Sequence, residues 1–185
     1  LREVIYDVQL DSRLKQLHGL VVEAMESVYR SEMGPHFGAI AEHCEHAGWN
    51  GKAIQYLTEA GQYALRQYQN REALEYFGKA IQMADPALSA HLILQQLPAF
   101  EALGQWQPAL KSLDDPVFLQ TPDKSLHADH LAARGHFLVL LGQYKSAWTD
   151  LQEAIHGFEQ LGDQAGVTRC HRDLATLYFR QGDYQ

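Results

Sequence analysis

A short word recurs along this chain and restricts what it can fold into. Leu103-Gly104-Gln105-Trp106-Gln107-Pro108-Ala109 aligns without gaps on Leu141-Gly142-Gln143-Tyr144-Lys145-Ser146-Ala147, and its first part returns as Gln181-Gly182-Asp183-Tyr184-Gln185. Each copy reads as a helix end, a glycine, a polar residue and an aromatic, and the first two run on to an alanine. Glycine ends a helix because it enters the left-handed backbone region without Cβ strain. The aromatic two residues later fills the elbow between helices, and the alanine three beyond it leaves room for a close crossing. The word therefore predicts a helical hairpin, and its recurrence predicts several.

Earlier segments carry the same grammar more loosely. Ala47-Gly48-Trp49 leads into Lys52-Ala53 and on to Leu57 and Ala60, while Ala73, Phe77 and Ala80 form a ladder at spacings of four and three. Helical spacing also links Leu14, Leu17, Val21, Met25 and Val28, then Ile93, Leu97, Phe100 and Leu103, then Ala147, Leu151, Ala154, Phe158 and Leu161. No stretch alternates with the period of a strand, so the predicted fold class is all-α. The expected helices cover 13–30, 36–47, 51–68, 71–84, 87–103, 107–114, 124–141, 144–161 and 164–181. Asp114-Asp115-Pro116 should stop one helix early and open a loop through Gln120-Thr121-Pro122-Asp123. Pro98 should kink its helix or mark its true start.

Composition narrows the function classes. The chain has 185 residues, 46% of them apolar, which suffices for a continuous core. No apolar run approaches the ~20 residues a membrane helix needs, so no membrane partner is expected. A formal charge of −8 disfavours broad nucleic-acid binding, which depends on Lys and Arg. The two cysteines, Cys44 and Cys170, lie far apart and form no disulfide or metal spacing, which fits a reducing cytoplasm. The start at Leu1-Arg2-Glu3-Val4 reads as a piece of a longer protein.

These residues resemble the tetratricopeptide repeat, a helix–turn–helix unit of about 34 residues with small residues where its helices cross. The resemblance spans residue 36 to the C-terminus. It maps the family pattern onto Gly61, Ala73, Phe77 and Ala80 in one segment. In another it maps onto Gly135, Leu138, Gly142, Tyr144, Ala147, Leu151 and Ala154, with Gly104, Trp106, Ala109, Gly182 and Tyr184 at equivalent turns. Gly61 and Gly135 each cost about 1 kcal/mol inside a helix, a cost that close backbone approach would explain. The resemblance implies a right-handed α–α superhelix of hairpins. Ala53 and Ala73 stand closer than one repeat, so the helix through Tyr56 and Tyr63 is expected to serve two hairpins.

The first residues differ from the repeat. Arg2-Glu3-Val4-Ile5-Tyr6, Leu17-His18 and Ala24-Met25-Glu26, continued by Ala41-Glu42-His43, resemble the region that joins the nucleotide-binding part of large bacterial signal-transduction ATPases to a tetratricopeptide sensor. Such regions accompany class III cyclases and LuxR-type regulators. The expected organisation is a linker helix over 1–33, following an upstream domain outside this chain, and a tetratricopeptide-like array over 34–185 whose last repeat is truncated.

The sequence offers no catalytic anchor: no GxxxxGK[ST], GxSxG or HExxH word is present, so no enzyme and no cofactor are expected. His43 and His46 share a helix face, as do His127 and His130, but a metal needs three or four convergent ligands, and both pairs read as solvated faces. Trp49, Trp106 and Trp148 read as core and elbow residues rather than stacking platforms. Arg169, Arg172 and Arg180 fall in one sector of the last complete helix. In the family that sector faces a concave groove, where a basic lane would hold a carboxylate or an acidic peptide. The competing reading has Asp173 neutralising Arg169 on an ordinary surface. Groove positions elsewhere are His91, Leu94 and Pro98, then Asp129, Ala132 and His136. Thr176 stands where chaperone-binding members carry Asn, which argues against their carboxylate clamp.

The expected function is a protein-interaction or regulatory scaffold that binds a peptide or a neighbouring domain of a larger signalling protein, such as its upstream ATPase or output domain. The alternative is a small-molecule sensor using the groove or the space under the 114–123 loop. Self-association through the last repeat is a further expectation.

Overall fold

The computed structural model describes residues 2–120 and 122–182, with side chains from Leu10 onward. All regular structure among the described residues is helical: α1 (Arg2–Val28), α2 (Phe37–Ala47), α3 (Asn50–Arg66), α4 (Asn70–Met83), α5 (Pro86–Ala102), α6 (Trp106–Leu113), α7 (Val117–Gln120), α8 (Lys124–Leu140), α9 (Tyr144–Leu161) and α10 (Gln164–Gln181), with a 3-10 turn at Gly34–His36. The chain divides into two units, Leu1–Ala84 and Asp85–Gln185.

One turn geometry joins most of these helices. At the end of α8, Gly142 adopts φ +75°, its N–H donates to the Val139 carbonyl at 3.2 Å, and the Gln143 N–H donates to that of Leu138 at 2.9 Å. The same pair of bonds closes α2 at Gly48, α5 at Gly104 and α9 at Gly162. This is the Schellman arrangement, which satisfies carbonyls a helix end would otherwise leave bare. Five residues after each left-handed residue comes the next helix's first inward side chain: Ala53, Ala109, Ala147 or Val167. The three alanines are fully buried. Gly182 repeats the left-handed cap at the end of α10, whereas Tyr184 lies outside the described residues.

The turn between α3 and α4 has the same hydrogen bonds, but its left-handed residue is Tyr68, at φ 60° and 88% exposed. Counting back from Ala73 identifies it, because the alanine keeps the same offset from the left-handed residue as in the glycine turns. A pattern that requires glycine at the left-handed position does not include this turn.

Behind the turns, helices approach closely on glycine. A Cβ on Gly61 of α3 would meet the Phe77 ring of α4 at 2.9 Å, and one on Gly135 of α8 would meet Leu151 of α9 at 2.7 Å. Phe77 and Leu151 are fully buried, and each stands between two buried alanines of its own helix, Ala73 and Ala80 or Ala147 and Ala154. The two hairpins share one design. Within the first unit α3 also packs on α2, so it serves a neighbour on either side.

Helix α1 packs on α2. Gly19 lies under the Trp49 ring, Val22 is fully buried, and Glu26 receives hydrogen bonds from Lys52 at 2.9 Å and Tyr56 at 2.6 Å. His18 meets His43 through Nδ1 at 2.8 Å and stacks on His46. The His43 and His46 pair is therefore part of the α1–α2 junction rather than a freely solvated face. Among the described residues, no three His, Cys, Asp or Glu side chains are grouped to hold a metal ion, and no helix is long and apolar enough to cross a membrane.

In the second unit Asp85 caps α5 through the Leu88 N–H, Pro86 occupies its first turn, and the helix runs on through Pro98. Pro98 therefore does not mark the true start. The expected loop over 114–123 contains α7, whose Val117 and Phe118 are buried, with Phe118 stacked on His130 at 4.1 Å. Part of the space beneath that segment is thus taken up by its own side chains, while Pro122 and Asp123 at its end line a cavity of about 310 Å³ with His127, Glu153 and His156. His130 donates from Nε2 to the Leu113 carbonyl at 2.8 Å and is buried, so it is no solvated partner of His127. Burial pushes its pKa down, keeping the ring neutral. Trp49 and Trp106 are half-buried, but Trp148 lies 46% exposed, its indole N–H donating to the Tyr178 hydroxyl at 3.2 Å.

These approaches make opposite outcomes measurable for one substitution type. Gly135→Ala is expected to destabilise the fold by about 1–3 kcal/mol through overpacking against Leu151, despite its better helix propensity. Gly78→Ala, inside α4 with open space at its Cβ position, is expected to stabilise by up to about 1 kcal/mol. Tyr68→Gly should also stabilise, by roughly 0.5–1 kcal/mol, because it releases left-handed strain at an exposed site. Chemical denaturation of the three variants checks all three signs.

Candidate functional site

The second unit carries a groove of about 470 Å³ walled by three helices. From α5 come Leu94, Leu97 and Pro98, with His91 and Glu101 at the edges; α8 adds Asp129, Ala132, His136 and Phe137, and α10 adds Arg169, Arg172 and Asp173. These helices present such a face because their opposite sides are spent on core packing. Leu131 and Leu138 of α8 are buried, as are Cys170, Leu174 and Leu177 of α10. Pro98 adds a local effect: its missing N–H deprives the Leu94 carbonyl of its i+4 donor at the groove wall.

Charges along the groove are matched. Arg169 donates to Asp129 at 2.8 Å and lies over the Phe158 ring, its guanidinium 5.5 Å from the centroid. Arg172 reaches Asp173 through two long bonds, 3.3 and 3.4 Å, and its side chain is 67% exposed. Asp173, itself buried, also pairs with His136 Nδ1 at 3.2 Å. The expected neutralisation of Arg169 by Asp173 is thus replaced. Residues one turn apart on a helix compete with partners across the groove, and Asp129 lies directly opposite Arg169.

His136 is the most constrained group here. The hydrogen bond to Asp173 raises its pKa against the opposing effect of burial, and the Asp173 and Glu101 charges add to the rise. Its Nε2 is buried; Glu101 lies 3.5 Å away, near enough to attract it but without hydrogen-bond geometry. When the ring is protonated, Nε2 carries a second donor besides the one given to Asp173, and that donor has no partner within the chain.

Of the residues selected in the sequence, the structure brings Asp129, His136, Arg169 and Arg172 together with His91, Leu94, Pro98 and Ala132. It leaves out two. Thr176 bonds back to the Arg172 carbonyl at 3.0 Å, and Arg180 lies at the Val139 and Leu140 carbonyls, 3.4 and 3.5 Å away, near the end of α8. Neither lines the groove. Sequence reasoning missed Glu101 and Phe137, which carry no motif and reach the groove only through helix packing. It also missed the Arg134–Asp150 pair, half-buried on the arginine side and buried at Asp150, which links α8 to α9 at 2.7 and 2.8 Å and sits apart from the groove. Neither cysteine is poised as a nucleophile: burial pushes the Cys170 thiol up to about 11 and raises that of Cys44.

The His136 arrangement has a pH signature. A raised folded pKa means the pairing's stabilisation is complete below the unfolded imidazole value, about 6.5, and is lost as pH rises through the folded value. NMR titration should place His136 above 6.5, and Asp173→Asn should lower its midpoint. A His136 midpoint unchanged in Asp173→Asn would contradict the pairing.

No family model matches the chain, and no curated protein matches it. Among solved structures, it is similar to the crystal structure of BtubC (BKLC) from P. vanneervenii, with a TM-score of 0.63 and 14% sequence identity over 94% of this chain and 67% of that one. At that identity the likeness shows a shared helical architecture.

Proposed function

We propose that this chain is a tetratricopeptide-type interaction module whose groove on α5, α8 and α10 binds an extended protein segment carrying an apolar side chain beside an acidic one. The single observation that carries the reading is the groove's composition. It combines an apolar floor of Leu94, Leu97, Pro98 and Ala132 with two polar side chains, Arg172 and His136, whose hydrogen-bonding capacity is incompletely used. An apolar side chain entering the floor leaves water, and an adjacent carboxylate takes over Arg172 from its long bonds to Asp173 while accepting from His136 Nε2. Charge-assisted bonds of this kind contribute about 1.5–3 kcal/mol each when well formed. The matched carboxylates set selectivity: a simple polyanion gains little against Asp129, Asp173 and Glu101, so the apolar contact must accompany the charge.

The right-handed superhelical arrangement and membership of the tetratricopeptide family belong to the same proposal. Supporting them are the repeated Gly turn, the buried alanine at a constant offset, and the shared Gly61–Phe77 and Gly135–Leu151 design. So does the placement of the bound segment in a larger cytoplasmic signalling protein, where occupancy of the groove would be passed to an ATPase or other output domain; that step rests on the resemblance of the N-terminal words.

One observation favours a second reading. A groove of about 470 Å³ lies within the ~300–1,000 Å³ range of small-ligand sites, so a metabolite with an apolar body and one carboxylate would satisfy the same contacts.

Binding to a library of acidic–apolar peptides, followed by fluorescence anisotropy, tests the first reading. Arg172→Ala and His136→Ala should each weaken the best binder by at least about tenfold, and Thr176→Ala should leave it unchanged. Equal affinity in all three variants would sink the assignment of the groove. Thermal stabilisation by a small apolar carboxylate, with no peptide bound, would select the sensor reading.

A further inference from the structure

The helical spacing that marks α1 in the sequence does not face the core. Leu10, Leu14, Leu17, Val21 and Val28 are exposed, at 48, 47, 50, 38 and 72%, and Ala24 between them is exposed as well. The buried face lies roughly 150° round the helix, at Gly19, Val22 and Glu26, against Trp49, Lys52 and Tyr56. α1 thus has two apolar faces, one used and one open.

The open face has a particular periodicity. Its residues alternate spacings of four and three, the 3.5-residue repeat of a coiled-coil seam rather than the broader stripe of a core-facing helix. In heptad terms Leu10, Leu17 and Ala24 take position d, and Leu14, Val21 and Val28 take position a. Val21 and Val28 at a with Leu10 and Leu17 at d match the β-branched-at-a, Leu-at-d combination that favours two parallel strands, while Leu14 at a and Ala24 at d depart from it. We infer that this face is a homodimer seam: α1 of a second copy of this chain packs on it in parallel and in register.

Three further observations fit a second copy. Residues flanking the seam place no like formal charges together: Arg13 would face His18 of the partner subunit, and Leu20, 60% exposed, would face Met25 of the partner subunit. The exposed apolar side chains form one stripe along α1 with Leu20 on its flank, and a contiguous exposed apolar patch of this kind marks an interaction face. Finally, a seam of under three heptads is short for two isolated helices, but α1 is already held helical by α2. Association does not bear the cost of folding it.

Sedimentation and light scattering of the full chain test the seam. The expected mass is twice 20.9 kDa at micromolar concentration, and Val21→Glu or Leu17→Glu should halve it without changing the far-UV spectrum, since both side chains are exposed. Ala24→Cys should form a disulfide-linked dimer on mild oxidation, because Cys44 and Cys170 are buried and leave little background. A monomer at 100 μM overturns the inference. So does a dimer that survives Val21→Glu but dissolves in Phe179→Glu, on the exposed face of α10. A dimer lost in Val21→Glu that fails to cross-link through Cys at position 24 overturns the parallel register.

Discussion

A large side chain of one helix seated on a glycine of the helix before it sets the geometry of each well-formed hairpin. Phe77 on Gly61 and Leu151 on Gly135 bring the backbones closer than any residue with a Cβ would permit. The flanking alanines extend that approach along the crossing, and the Schellman turns deliver the helices to it. A glycine inside a helix is locally unfavourable by about 1 kcal/mol. It is retained where burying a full Phe or Leu side chain, worth about 1.5–3 kcal/mol, more than offsets that cost.

The groove depends on this packing. Because α8 and α9 meet closely through Gly135 and Ala147, the opposite side of α8 stays available, with Asp129, Ala132 and His136 spaced along it. Helices α5 and α10 supply the other walls. The resulting site is electrically balanced, with Arg169 held by Asp129 and Asp173 shared by His136 and Arg172. A basic lane read from the spacing of three arginines alone overstates the positive charge, since Asp129 of α8 meets Arg169, Asp173 of α10 itself meets Arg172, and Arg180 sits at carbonyls of α8.

What was legible followed from local rules. Helix ends at Gly48, Gly104, Gly142 and Gly162 are written in residues that alone adopt the left-handed turn easily, and the expected helix spans agree with the observed ones within a few residues for α2 to α6 and α8 to α10. Groove positions were readable because helical periodicity puts Asp129, Ala132 and His136 on one face. The failures share a cause. Tyr68 occupies a left-handed turn position against its own preference, Phe118 turns an apparent loop into a packed short helix, and His130 is buried by a ring approaching from α7. Each outcome is imposed by neighbours distant in sequence.

The sequence by itself determined the helical class, the hairpin turns and the faces of the helices, because these depend on backbone sterics and on a 3.6-residue period that any window of the chain displays. Only the tertiary structure decided which face each helix spends. On α8 and α10 the remaining faces became a charged and apolar groove. On α1 the regular Leu and Val stripe stayed exposed while Gly19, under the Trp49 ring, and Val22 were buried. The physical reason is that apolar periodicity records a preference to leave water without naming the surface that removes it. That choice belongs to whichever neighbouring helix fits most closely.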